Sequence, residues 1–187
     1  MVKRAGDIEQ TRLRITEAAM RLHTTIGPAE TTISAVAEEA GVTRLTVYRH
    51  FATDNDLFVA CSGHWFSLHP PPDPHTWRAV AGVEDRAETA LRELYGWFEE
   101  NNADLYPIRR DFDSLPSPIQ AAILRAEVRN AEALVSGSGL RGRERARLRA
   151  AAGLVVRYAT WRTLVVDEGL RGSDAVSLAV RFLTSAR

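Results

Sequence analysis

Arg44, Leu45, Thr46, Tyr48 and Arg49 bring two guanidinium groups, a hydroxyl and a phenol together within six residues, and no carboxylate follows from Leu45 through Thr53. Groups of these types donate hydrogen bonds to phosphate oxygens and to base edges. The chemistry on offer is recognition of a polyanion. Bond breaking would need a nucleophile beside a base, and that pairing is missing here.

Such groups need a scaffold, and the flanking residues supply one. Val36, Ala40, Val42 and Val47 are apolar where two short helices would pack, Ala37 is small where they would cross, and Gly41 suits the left-handed residue between them. Thr31 or Thr32 offers an N-cap for a helix to about Ala40, and Thr43 offers one for a helix from Arg44 to Phe51. Two crossed helices of this kind form a helix-turn-helix, with the N-terminal half of the second in a major groove. Ile15, Ala18, Ala19, Leu22 and Ile26 mark one face of a preceding helix over Thr11–Ile26, stopped by Gly27 and Pro28. Thr53 and Asp56 have capping-box spacing and open a fourth helix to about Phe66.

The stretch resembles the TetR family of transcriptional regulators. The resemblance rests on Arg14-Ile15-Thr16-Glu17-Ala18-Ala19, Thr31-Thr32-Ile33, Ala37-Glu38-Glu39-Ala40-Gly41-Val42, and Thr46-Val47-Tyr48-Arg49-His50-Phe51 followed by Asp56-Leu57-Phe58. It implies a homodimer that reads a palindromic operator in double-stranded DNA, and a C-terminal helical domain whose small-molecule effector releases the DNA. By position it places Arg44 and Thr46 at base edges or nearby phosphates. It puts Tyr48 and His50 on phosphate, and the backbone N–H groups at Thr31 and Thr32 on another. Leu45 and Arg49 complete the implied DNA-binding set. His23 stands where the family usually has an aromatic core residue, and Asn55 where it commonly has a phosphate-binding lysine.

Four prolines at 70, 71, 72 and 74 break the helical pattern and predict a stiff extended connection. Helices are expected again over 83–101, 103–111, 117–135 and 143–167, with a last one capped by Ser173 or Asp174. No period-two strand pattern survives, so the expected class is all-α. A three-helix DNA-binding unit with its connecting fourth helix takes residues 8–66, and a helical bundle for effector binding and dimerisation takes 67–187. The last two helices are apolar nearly all round, which predicts that a second copy covers them.

The chain has 187 residues, 45% of them hydrophobic and 26% charged, which fits one globular domain or two small ones. Twenty-four Lys and Arg balance 24 Asp and Glu, so net charge favours no partner class. Residues 1–52 hold seven cations (3, 4, 12, 14, 21, 44, 49) against six acids (7, 9, 17, 30, 38, 39), a weakly basic reader that depends on contact geometry. No apolar run approaches a membrane span of ~20 residues and the start lacks a signal-peptide pattern. A single cysteine, Cys61, fits a reducing cytosol, so a cytoplasmic protein is expected.

His64, His69, His75 and Cys61 straddle a helix end and a proline run, a poor frame for tetrahedral ligands, so no metal is expected. With no glycine-rich phosphate loop, no cofactor and no enzyme activity are expected either. The arginine run 141–149 reads as a solvated helix start pairing with carboxylates elsewhere. Effector candidates are the bundle aromatics Trp97, Phe98, Tyr106, Phe112, Tyr158 and Trp161, with Arg110 or Arg157 for an acidic ligand. The competing reading is a helical ligand-binding or enzymatic protein whose helix-turn-helix is vestigial.

Overall fold

The computed structural model describes residues 2–186, and no strand occurs among them. The side chains of Lys3 and Arg4, which enter the local charge count, lie outside the described residues.

The chain packs as two units, Met1–Pro70 with Asn101–Gln120, and Pro71–Glu100 with Ala121–Arg187. In the first, α1 (Val2–Thr25) lies against α2 (Ile33–Glu39), α4 (Asp54–Leu68) and α7 (Asn102–Arg110), and α2 crosses α3 (Arg44–His50). Its core joins Ile15, Ala18 and Ala19 of α1 to Val36, Ala37, Val47, Phe51, Leu57 and Cys61. Helix α1 starts before the expected Thr11, since only Gly6 interrupts the helix-forming residues ahead of it. Gly27, at φ +99°, ends that helix run in the left-handed region. Thr32, Thr43 and Thr53 cap α2, α3 and α4 as their spacing predicts, and Thr53 with Asp56 completes a capping box.

The segment Asn101–Gln120 packs with the N-terminal helices, whereas the sequence suggests one continuous C-terminal unit from residue 67. Helical patterning reports which residues are covered and is silent on which neighbour covers them.

In the second unit, α6 (Val83–Glu100) lies against α11 (Gly172–Ser185), α10 (Tyr158–Arg162) and α5 (Pro74–Trp77), and α9 (Gly142–Val155) packs on α10 and α11. Helix α8 runs over Ser117–Val135. The proline run stays non-helical only through Asp73, which is itself extended. Pro74 then occupies the first turn of α5, where its missing N–H is harmless, and Asp73 accepts from the His75 N–H at 2.9 Å. The expected long helix over 143–167 is broken. Arg157 takes an extended conformation, the Leu154 carbonyl accepts from Thr160 Oγ1 at 2.6 Å, and the Val155 carbonyl accepts from the Tyr95 hydroxyl at 2.9 Å. A π-helical turn over Thr163–Asp167 follows α10. The Thr160 and Tyr95 side chains take over backbone acceptors there, so apolar periodicity continues while the helix does not.

Candidate nucleic-acid interface

Helix α3 is held at both ends. Thr43 Oγ1 accepts from the Thr46 N–H at 3.2 Å, and Arg12 Nη1 of α1 donates to the His50 carbonyl at 2.6 Å. The Arg12 guanidinium also sits 4.1 Å from the Phe51 ring centroid, a cation–π contact. Val47 is buried between these ties, which turns Arg44, Leu45, Tyr48 and Arg49 to solvent. Leu45 is 73% exposed, so this apolar side chain has no covering role within the chain. Thr46 and His50 are half-buried, and the Thr46 hydroxyl shares a hydrogen bond with Thr43 Oγ1 at 3.0 Å.

The hydroxyl of Thr32 accepts from the Ala35 N–H at 3.1 Å, and Thr31 Oγ1 donates to the Gly27 carbonyl at 2.8 Å. Thr31, Thr32, Arg44 and Tyr48 meet along one groove of about 460 Å³, whose inner wall includes His23, Val36 and Phe58. Leu45, Thr46, Arg49 and His50 do not line it. The exposed edge of α3 and the start of α2 thus form one surface with two cations and hydroxyl and phenol donors, suited to a phosphate backbone and the base edges beside it.

Residues 15–61 match the sequence model described as bacterial regulatory proteins of the tetR family. The amino-terminal domain belongs to the tetR family. The chain is 41% identical over 86 residues to TtgR of Pseudomonas putida, covering 46% of this chain and 39% of that one. It is 34% identical over 84 residues to SrpR of Pseudomonas putida, covering 42% and 39% of the two chains. Against AcrR of Shigella flexneri the identity is 38% over 56 residues, 30% of this chain and 26% of that one. This chain therefore spans about two fifths or less of the length of those three relatives. Among solved structures, a tetR-family regulator from Streptomyces coelicolor superposes with a TM-score of 0.64 at 16% identity, covering 95% of this chain and 80% of that one. FadR of Bacillus subtilis, in complex with stearoyl-CoA, gives a TM-score of 0.62 at 16% identity over 94% and 98% of the two chains. These likenesses show the fold.

Inside the tetR-family domain, His23 fills the aromatic core position by stacking on Phe58, centroids 4.4 Å apart, with its Nδ1 3.4 Å from Cys61 Sγ. Burial lowers the His23 pKa to about 4 and pushes the Cys61 thiol up to about 12. Cys61 is therefore a packed thiol rather than a nucleophile. Its neighbour comes from α1, outside the His64, His69 and His75 grouping. Among the described residues no three His, Cys, Asp or Glu side chains come together to hold a metal ion.

Two features next to the tetR-family match escape a reading of the sequence. Arg12 enters such a reading only as a charge, and its role depends on the tertiary approach of α1 to the end of α3. Arg110 and Asp111 reach the turn between α1 and α2. Arg110 Nη2 donates to the Ile26 carbonyl at 2.8 Å, and the Ala29 N–H donates to Asp111 Oδ2 at 3.1 Å. Hydrogen bonding to Arg110 holds the Asp111 carboxyl below the usual carboxylate range. No local signal could have found this, since the partners are more than 80 residues apart.

The effector candidates divide between the units. Trp97, Phe98, Tyr158 and Trp161 form one aromatic cluster in the second unit, with Phe98 5.7 Å from Trp97, 5.5 Å from Tyr158 and 5.9 Å from Trp161. Trp161 Nε1 is buried without a hydrogen-bond partner. Tyr106, Arg110 and Phe112 lie in the first unit. In the arginine run, Arg145 and Arg149 both pair with Glu132 of α8, at 3.3 and 2.5 Å. No helix of the described residues is long and apolar enough to cross a membrane.

Proposed function

We propose that the chain is a sequence-specific DNA-binding transcriptional regulator, a repressor that a small-molecule effector releases from its operator. One observation carries the reading: a tetR-family domain holds the Arg44, Leu45, Tyr48 and Arg49 edge of α3 in solvent, tied at one end by Thr43 and at the other by Arg12. Arg44 and Thr46 read base edges, and Tyr48, His50, Thr31 and Thr32 meet phosphates. The functional division follows residues 8–66 for reading and 67–187 for effector binding and dimerisation, in a cytoplasmic protein without catalytic activity.

The working form is a homodimer on a palindrome. Leu154 of α9, Val166 of the π-helical turn, and Leu178 and Phe182 of α11 remain 40–47% exposed, and Leu178 and Phe182 stand one helical turn apart. A second copy covering these side chains sets two recognition helices at the ~34–36 Å spacing of successive major grooves. Effector recognition falls to the Trp97, Phe98, Tyr158 and Trp161 cluster. The buried Trp161 N–H calls for an acceptor oxygen, and the rest of the cluster for apolar bulk; the complex of the similarly folded FadR with stearoyl-CoA supports a ligand site in the helical bundle. Effector coupling of about 1–3 kcal/mol, 5- to 150-fold in operator affinity, passes through α4, the helix leading out of the reader.

The test is a mobility-shift titration against the DNA flanking the chain's own gene and against a random-sequence pool. Salt-dependent retention of an enriched palindromic duplex is expected. If no duplex is retained at low salt, the reading fails and a helical ligand-binding protein with a vestigial helix-turn-helix takes its place.

A further inference from the structure

The α7 segment ends in a tie to the DNA-binding helices. Arg110 and Asp111 are neighbours in sequence, yet they form a two-pronged ion pair, Nε to Oδ1 at 2.7 Å and Nη2 to Oδ2 at 2.9 Å. The pair then spends its remaining capacity on one short stretch of backbone. Arg110 Nη2 takes the Ile26 carbonyl at 2.8 Å, left over at the end of α1, and Asp111 Oδ2 takes the Ala29 N–H at 3.1 Å. Between those two contacts lies Gly27, in the left-handed region at φ +99°, and a Cβ there would overlap both Arg110 Nη2 and Asp111 Oδ2. The glycine serves the clamp as well as the turn. Gly27 in turn gives its carbonyl to Thr31 Oγ1 at 2.8 Å. A path of backbone and hydrogen bonds therefore runs from Asp111 and Arg110 through residues 26–29 to Thr31, which lines the groove that also holds Thr32, Arg44 and Tyr48. Trp65 Nε1 of α4 adds a second anchor for α7, donating to Asp104 Oδ2 at 2.8 Å.

We propose that Arg110 and Asp111 are positioning residues for DNA recognition: they fix the Gly27–Ala29 turn, and through it Thr31, so that the start of α2 at Thr32 stands ready for the phosphate backbone. The proposal rests on the DNA-binding reading above. A charged pair with four hydrogen bonds to itself and to a turn exceeds what is needed to shield a surface loop. Its partners are the backbone atoms on either side of a glycine that cannot bear a side chain. Freed of the clamp, the turn samples other conformations, and DNA binding must bear the entropy of ordering it.

The test uses the full chain and a duplex that the wild-type protein has enriched from a random-sequence pool. Arg110→Ala and Asp111→Ala are expected to weaken binding roughly three- to tenfold, the loss associated with a hydrogen bond or two. Asp111→Asn, which retains an acceptor for the Ala29 N–H, is expected to lose less. Thr31→Val combined with Asp111→Ala is expected to bind no worse than the weaker single variant, since both changes act on the same contact. Amide exchange in the free protein is expected to quicken at residues 27–32 while Ile15, Val36 and Val47 keep their protection. Wild-type affinity in both alanine variants overturns the proposal. Additive losses with Thr31→Val also overturn it, as does exchange that quickens through the whole first unit, because either shows the pair acting on the fold at large. If the wild-type chain enriches no duplex, the DNA-binding reading has failed, and the exchange measurement still reports whether the pair orders the turn.

Discussion

The Tyr95 hydroxyl donates to the Val155 carbonyl at 2.9 Å, across 60 residues, at the point where the expected long helix stops. Tyr95 is buried, which raises its pKa and leaves the phenol a donor throughout the accessible range. Tyr95→Phe keeps the ring and strands a buried carbonyl, at a cost of about 1–3 kcal/mol. Thermal and denaturant unfolding should both show the loss, and an unchanged midpoint would mean that the carbonyl finds another donor.

His23 makes the stability of the first unit pH-dependent. Its folded-state pKa of about 4 lies below the ordinary 6.5, so between those values the unfolded chain binds the extra proton. Stability is intact above pH 6.5 and declines as the pH falls toward 4, by on the order of 3 kcal/mol in total. His23→Phe should flatten this part of the profile. Urea midpoints for both proteins from pH 7.5 to 4 decide it, and parallel curves would rule out His23 as the source.

Arg86 is a buried cation served by backbone alone among its described contacts. It donates to the carbonyls of Trp77 at 3.2 Å, Val80 at 2.8 Å and Leu134 at 3.4 Å, and closely to that of Ser136. It therefore joins the turn after α5 to the C-terminal end of α8, where helix carbonyls lack partners and the dipole favours a cation. Arg86→Leu is expected to destabilise the second unit by at least about 3 kcal/mol, since several carbonyls lose their donor at once. Arg86→Lys should recover only part of this, because a single ammonium cannot match the planar fork. Equal unfolding midpoints for Leu and Arg at this position would contradict the assignment.

Arg44 and Tyr48 should separate specificity from affinity. Arg44→Ala is expected to cost about 1–3 kcal/mol on the preferred duplex and to relax base preference under it. Tyr48→Ala, at a residue proposed to meet phosphate, should weaken all sequences alike. Anisotropy titrations with the enriched duplex and single-base variants give both numbers. Identical behaviour of the two variants would remove the distinction between base and backbone contacts.

Much of the amino-terminal helical domain was legible in the sequence, because its signals are local. Thr32, Thr43 and Thr53 cap because a hydroxyl reaches N–H groups three residues on, and Gly27 and Gly41 take left-handed conformations that other residues resist. Val36 and Val47 face inward because their spacing follows the helical period, and that same period leaves Arg44, Leu45 and Tyr48 outside. The all-α class follows from the same short-range rules.

Tertiary structure alone decided what joins across long stretches of chain. Only folding brought Arg12 to the end of α3, Arg110 and Asp111 to the α1–α2 turn, Arg86 to the end of α8, and Tyr95 to the break after α9. Each of these polar groups meets backbone atoms, and every residue other than proline carries the same N–H and carbonyl, so no side-chain pattern marks the recipient. Periodicity told which side chains would be covered; the choice of partner was settled by packing, where burial makes a backbone group without a hydrogen bond too costly to leave.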